Sequence, residues 1–168
     1  YVFLGGAGID ELYGRRVADV LSGGDGDDLL VSGGGRDLLK GGAGSDTYVV
    51  ASGDALIQDT DGVNTLLWQD AAVDLEAWAK GEDGGLSVSL VEFAADGSAG
   101  GGSYGFQGSS NDLVSVEPQP LAGQYVRIES AGASVLIQGG LDANFGDIID
   151  AAGQRISWEQ LLAQAVSG

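Results

Sequence analysis

Five aspartates, Asp10, Asp19, Asp28, Asp37 and Asp46, recur at a strict interval of nine residues, and Asn64 falls on the same phase two intervals later. Four of them close glycine-rich runs: Gly6 and Gly8 precede Asp10, Gly24 and Gly26 precede Asp28, Gly33 and Gly35 precede Asp37, and Gly42 and Gly44 precede Asp46. Carboxylates interleaved with main-chain carbonyls are hard oxygen donors, the ligand set of calcium or magnesium. Little else in the chain can do chemistry. Its 168 residues include no His, no Cys and no Met, which excludes disulfides, thiol nucleophiles, imidazole acid–base catalysis and the nitrogen- or sulfur-rich sites of zinc, copper and iron. The formal charge of −18, from 25 acidic and 7 basic residues, opposes nucleic acid and anionic membrane surfaces and favours cations as partners. No apolar run approaches the roughly 20 residues of a membrane span, and no charged segment leading into an apolar stretch opens the chain as a Sec-type signal.

Ligands spaced in this way need a repeating element to carry them, and the first 67 residues divide into seven nonapeptides. They are GGAGIDELY, GRRVADVLS, GGDGDDLLV, SGGGRDLLK, GGAGSDTYV, VASGDALIQ and DTDGVNTLL, starting at Gly5. The eighth place is apolar in all seven (Leu12, Leu21, Leu30, Leu39, Tyr48, Ile57 and Leu66), and the fourth is glycine in all but the second, where Val17 stands. Glycine permits positive φ and close backbone approach, so each six-residue turn can bend sharply with its carbonyls converging. The next three residues form a short strand whose middle side chain faces inward. Two nonapeptides make one flattened coil, and successive coils stack in parallel about 4.8 Å apart. The apolar places then form a thin continuous core, and the aspartates form two edge ladders. Asp10, Asp28, Asp46 and Asn64 share one edge; Asp19 and Asp37 share the other, which Ala55 ends.

Carboxylates stacked about 5 Å apart repel by roughly 0.8 kcal/mol per pair in water, and several times more at a partly buried edge. A divalent cation between adjacent turns reverses that charge term and satisfies the turn carbonyls. The expectation is a segment disordered without calcium and folded with it. Asp59 and Asp61 add a D-x-D-G turn that offers a terminal calcium site; it lacks the glycine and the twelfth-position glutamate of an EF-hand. Asp25 and Asp27 are expected to be solvated turn residues.

The nonapeptides GGAGIDELY, GGDGDDLLV and GGAGSDTYV resemble the G-G-x-G-x-D-x-U-x unit of the RTX (repeats-in-toxin) family, a known calcium-binding repeat. The resemblance implies a parallel β-roll holding Ca²⁺ through Asp side chains and turn carbonyls, within a large secreted, extracellular bacterial protein exported by type I secretion machinery. The second copy departs from the pattern: Arg15, Arg16 and Val17 replace its glycines, which puts the Asp19/Asp37 site in doubt and sets two cations near it.

The nine-residue phase stops near Trp68. The expected architecture is all-β, a calcium-binding roll over residues 1–67 followed by a mostly antiparallel, β-rich capping region with short helices over 68–168. The spacing predicts a helix over 70–81 with Asp74 as N-cap and Gly81 as its stop. Alternation predicts a strand over 86–93 with Leu86, Val88 and Leu90 on one face. A Gly/Ser-rich loop covers 94–111, further strands are expected at 112–116, 124–129, 133–138 and 148–149, and a capping box from Ser157 to Gln160 opens a C-terminal helix. This order of pieces is similar to the region that follows RTX arrays in secreted proteins. A stacked solenoid also needs its last apolar layer covered, here around Ile57 and Leu66, with Trp68 and Trp78 as candidate covers. GGSYG over 101–105 matches the hydrolase nucleophile elbow around Ser103, but a chain without His has no base to activate it.

These observations point to a non-enzymatic calcium-responsive folding module. The chain begins mid-repeat, with Phe3 at an eighth place and Tyr1 at a sixth, so the expectation is further repeats upstream and a larger parent chain. An alternative is that residues 68–168 form a ligand-binding or adhesive β domain carried on a calcium-rigidified roll.

Overall fold

The computed structural model describes residues 1–59, 61–70, 72–93, 123–138 and 145–167. Strands β1 (Val2–Ala7), β2 (Glu11–Tyr13), β3 (Val20–Asp25), β4 (Leu29–Val31), β5 (Arg36–Ala43), β6 (Thr47–Val50), β7 (Gly53–Ile57) and β8 (Asn64–Trp68) alternate between two sheets. The odd-numbered strands stack in parallel on one side and the even-numbered ones on the other. Register follows the repeat: Leu21 lies opposite Phe3 and Leu39, and Leu30 lies opposite Leu12 and Tyr48. The chain is therefore a parallel β-roll of two nonapeptides per coil. Its eighth-place side chains from Leu21 to Leu66 are fully buried between the sheets, while Leu12 and Phe3 are partly buried at the open end.

The tight stacking explains the glycines. At Gly24 and Gly26 φ is +115° and +127°, a region costly for residues with a Cβ. A Cβ at either place would also land on the carbonyl of Gly6 or Gly8 in the preceding coil. Val17 stands at the fourth place of the second turn, yet among the described residues no non-glycine has positive φ. That turn, Arg15–Ala18, therefore follows a different path.

After the roll come α1 (Leu75–Ala79), β9 (Ser87–Phe93), β10 (Gly123–Glu129), β11 (Ala133–Gln138), β12 (Phe145–Asp150), β13 (Arg155–Ser157) and α2 (Trp158–Ser167). Strand β11 pairs in parallel with β7, and β12 pairs in parallel with β8, so both sheets of the roll run on into the second half. Antiparallel strands β10 and β9 then extend one sheet, and β13 the other. The exposed last layer is thus covered chiefly by continuation of the sheets. Ile57 and Leu66 belong to one buried cluster with Val135, Ile137, Phe145, Ile148, Trp158 and Leu161. Trp68 lies fully buried in that cluster and donates its indole N–H to Ser130 Oγ at 3.2 Å; Trp78 packs against the cluster and is only partly buried.

Local signals cap the helices as expected, but α1 spans only Leu75–Ala79 of the predicted 70–81. Asp74 caps α1 by accepting from the Ala77 N–H at 3.0 Å, Gly81 at φ +80° follows its end, and Ser157 Oγ accepts from the Gln160 N–H at 3.1 Å. Leu86 and Val88 pack on the core, but Leu90 is 40% exposed, so the predicted apolar face of β9 is covered only at one end. Strand β13 was not anticipated; its three residues give no periodic signal. The expected loop over 94–111, with GGSYG in it, and the strand expected at 112–116 lie outside the described residues. Among the described residues no helix is long and apolar enough to cross a membrane.

Candidate metal centre

Each sixth-place side chain is fixed by the coil beside it. On the first edge, Asp28 Oδ1 accepts from the Asp10 N–H at 2.8 Å, Asp46 Oδ1 from the Asp28 N–H at 2.8 Å, and Asn64 Oδ1 from the Asp46 N–H at 2.7 Å. The strand ladder takes up the aspartate carbonyls in turn, with Leu29, Thr47 and Thr65 donating to Asp10, Asp28 and Asp46. Three of these four side chains are essentially inaccessible: Asp28, Asp46 and Asn64.

In Asp28 and Asp46 one carboxylate oxygen is thus committed to the neighbouring coil, and the other has no partner. Oδ2 of Asp10, Asp28 and Asp46 is buried without a hydrogen bond. Burying an ionised oxygen without a partner costs several kcal/mol, so a column of three calls for a counter-charge. Each bare oxygen also lies over a first-place glycine. A Cβ on Gly5 would meet Asp10 Oδ2 at 2.6 Å together with the Gly23 carbonyl, and one on Gly23 would meet Asp28 Oδ2 together with the Gly41 carbonyl. An unpaired carboxylate oxygen and a main-chain carbonyl oxygen brought this close beside a glycine suit a hard cation. Among the described residues no three carboxylates converge as a side-chain cage, so a cation on this edge must draw on main-chain oxygens as well.

The second edge keeps half of this plan. Asp37 Oδ1 accepts from the Asp19 N–H at 2.9 Å, and Asp37 Oδ2 is buried and bare. In the irregular second turn Asp19 Oδ2 accepts from the Arg15 N–H at 2.6 Å, and its Oδ1 is buried without a hydrogen bond. The Arg15 guanidinium turns away from this carboxylate and stacks 4.2 Å over the Tyr1 ring. The ladder ends at buried Ala55, and Gly33 and Gly35 press their Cα positions against Arg15 and Val17 of the coil before.

At the last coil Asp59 and Asp61 differ in burial. Asp59 is buried; its Oδ2 accepts from the Tyr48 hydroxyl and its Oδ1 from the Asp61 N–H at 3.0 Å. The exposed Asp61 carboxylate accepts from the Gly62 N–H, and its carbonyl takes the Asn64 Nδ2 donor at 3.1 Å. The two carboxylates of the D-x-D-G turn thus accept from different donors. Asp25 is exposed, whereas Asp27 does more than face solvent: its Oδ1 accepts from Ser45 N–H at 2.8 Å and ties two coils together. Sequence reasoning missed the Tyr48 hydroxyl, because an aromatic ring in the apolar column is consistent with plain core; the only signal was a carboxylate at the first place of the seventh copy.

The electrostatics follow from this burial. Asp37 is pushed up to about 8, first by desolvation and also by the adjacent Asp19 carboxylate, against stabilising N–H donors from Asp19 and Gly34. Asp46 is pushed up to about 7, first by desolvation and then by Asp59 and Asp28, against the Asp28 N–H. Tyr48 is raised far above the ordinary phenol range by burial and by Asp59. Both carboxyl groups therefore hold their protons more tightly than an exposed aspartate does.

The sequence pattern of the RTX calcium-binding nonapeptide repeat, in its four-copy form, matches residues 4–39 and again 22–57, leaving residues 58–168 outside the match. No curated protein matches the chain. The repeat match and the edge geometry agree on the same turns: residues 4–57 belong to the RTX calcium-binding nonapeptide repeats, and the cation they bind is calcium.

Proposed function

We propose that this chain is a calcium-induced folding module of a larger secreted bacterial protein. Residues 1–67 act as the switch, and residues 68–168 close its end. The reading is carried by the column of buried, unpaired Oδ2 atoms on Asp10, Asp28 and Asp46. Without a cation those oxygens oppose the fold; with one they join it. Asp10 and Asp28, then Asp28 and Asp46, supply the carboxylates of successive sites on the first edge, Asp19 and Asp37 supply those of the second, and the turn glycines Gly6, Gly8, Gly24, Gly26, Gly33, Gly35, Gly42 and Gly44 shape the turns whose carbonyls complete them. The bound ion contributes charge neutralisation and oxygen coordination; no group in this site has a role in bond-making.

Low cytosolic calcium keeps such a chain open enough to thread a type I exporter, and millimolar calcium outside folds it. With site dissociation constants near 10⁻⁴ M and about ten-fold excess ion, each site adds about 1.4 kcal/mol. The test is far-UV circular dichroism during a calcium titration, with magnesium as control. A cooperative gain of β signal at submillimolar to millimolar calcium, absent with magnesium, is expected, since magnesium gives up its waters reluctantly and demands tighter octahedral geometry. A spectrum already folded in excess chelator would refute the switch.

A further inference from the structure

The third cradle of the first edge differs from the two before it, and we infer that Tyr48 closes it, so that the calcium column on this edge stops after two ions. The inference rests on the calcium reading proposed above. At Gly5 and at Gly23 the atoms pressed closest to where a Cβ would stand include one aspartate Oδ2 and one glycine carbonyl of the following coil. At Gly41 they include Asp46 Oδ2 and the Tyr48 hydroxyl.

That hydroxyl is already engaged. It accepts from the Gly41 N–H at 2.7 Å and donates its proton to Asp59 Oδ2, with the ring fully buried behind it. A hydroxyl has one proton and two lone pairs, so it fills the cradle with its donor and one acceptor spent. The following coil differs too: Asp10 and Asp28 are each followed by an aspartate at the next sixth place, whereas Asp46 is followed by Asn64, whose Oδ1 takes the Asp46 N–H and whose Nδ2 donates to the Asp61 carbonyl. Tyrosine at an eighth place, aspartate at a first and asparagine at a sixth therefore convert an ion site into a hydrogen-bonded seam. This seam lies in the coil onto which β11 and β12 continue the sheets, where a junction independent of calcium holds the register for both halves.

Calcium stoichiometry of the full chain, measured by isothermal titration calorimetry on wild type, Tyr48→Phe and Asp59→Asn, tests the inference. Tyr48→Phe keeps the ring and removes the hydroxyl, and it is expected to bind one more calcium per chain. Asp59→Asn keeps an acceptor for the hydroxyl and is expected to bind the wild-type number. An unchanged or lower number in Tyr48→Phe protein that folds with calcium overturns the inference. Loss of one ion in Asp59→Asn overturns it too, because Asp59 would then be a ligand, and this variant decides the matter if Tyr48→Phe does not fold. Wild-type protein that takes up no calcium would sink the underlying calcium reading, and this inference with it.

Discussion

Asp28 does two jobs with two oxygens: Oδ1 holds the Asp10 N–H across the coils, and Oδ2 is buried and bare. Asp28→Asn separates them, since the amide keeps an acceptor for Asp10 and replaces the bare oxygen with a donor. We expect its calcium midpoint to rise on the order of tenfold or more, the scale of a lost charged ligand. We also expect a larger rise than for Asp19→Ala, because Asp28 lies between two sites of its edge and Asp19 serves one; equal midpoints in a calcium titration would refute the ranking. The raised Asp37 (about 8) and Asp46 (about 7) give a second prediction. Both exceed the ordinary carboxylate value of about 3.9, so without calcium the folded state binds more protons than the unfolded one, and its stability falls as pH rises between those limits. Metal-stripped protein should therefore gain β signal on acidification from pH 8 to pH 5, and calcium-loaded protein should lose affinity over the same range; a metal-free spectrum indifferent to pH would contradict this. At the residue scale the aspartate ladders were legible because a flexible acidic linker has no physical reason to keep a nine-residue phase. The Tyr48–Asp59 bond was not, because it joins residues eleven apart whose facing depends on the coil.

Among the elements, the turns are the most constrained. Gly26→Ala places a Cβ on the Gly8 carbonyl in addition to forcing φ +127°, whereas Gly8→Ala at φ +110° meets nothing within 4 Å. The second substitution should cost roughly the 1–2 kcal/mol of an unfavourable backbone region, and the first should prevent the coils from closing. Folding midpoints in calcium check this: a milder effect at Gly26 than at Gly8 would refute the stacking explanation. The strands of the roll could be placed from sequence because each column of the repeat has its own cause, glycine for the turn and an apolar residue for the core. Strands β11 and β12 were foreseen as strands, but their partners were not. Alternation fixes which face of a strand is buried, not which edge it joins, and the parallel docking on β7 and β8 joins segments up to about eighty residues apart.

The described residues form two sheets that begin as a calcium roll and end as antiparallel strands, with one apolar cluster from Leu21 to Leu162 running through both. The aromatic contacts Tyr48–Phe145 at 5.8 Å and Phe145–Trp158 at 4.9 Å carry that cluster across the junction. Removing residues 69–168 should bare Ile57 and Leu66, each worth about 1.5–3 kcal/mol of burial, and raise the calcium requirement of the remaining roll by at least tenfold; a truncated roll that folds at the full chain's midpoint would show the second half to be an independent passenger. Whether the cation completes the fold can be read from amide hydrogen exchange of the full chain. We predict that the amides of residues 5–49, including those of Asp10, Asp19 and Asp28 that bond to the next coil's carboxylates, exchange slowly in calcium and at unstructured rates in chelator. Equal protection in both conditions would contradict the account.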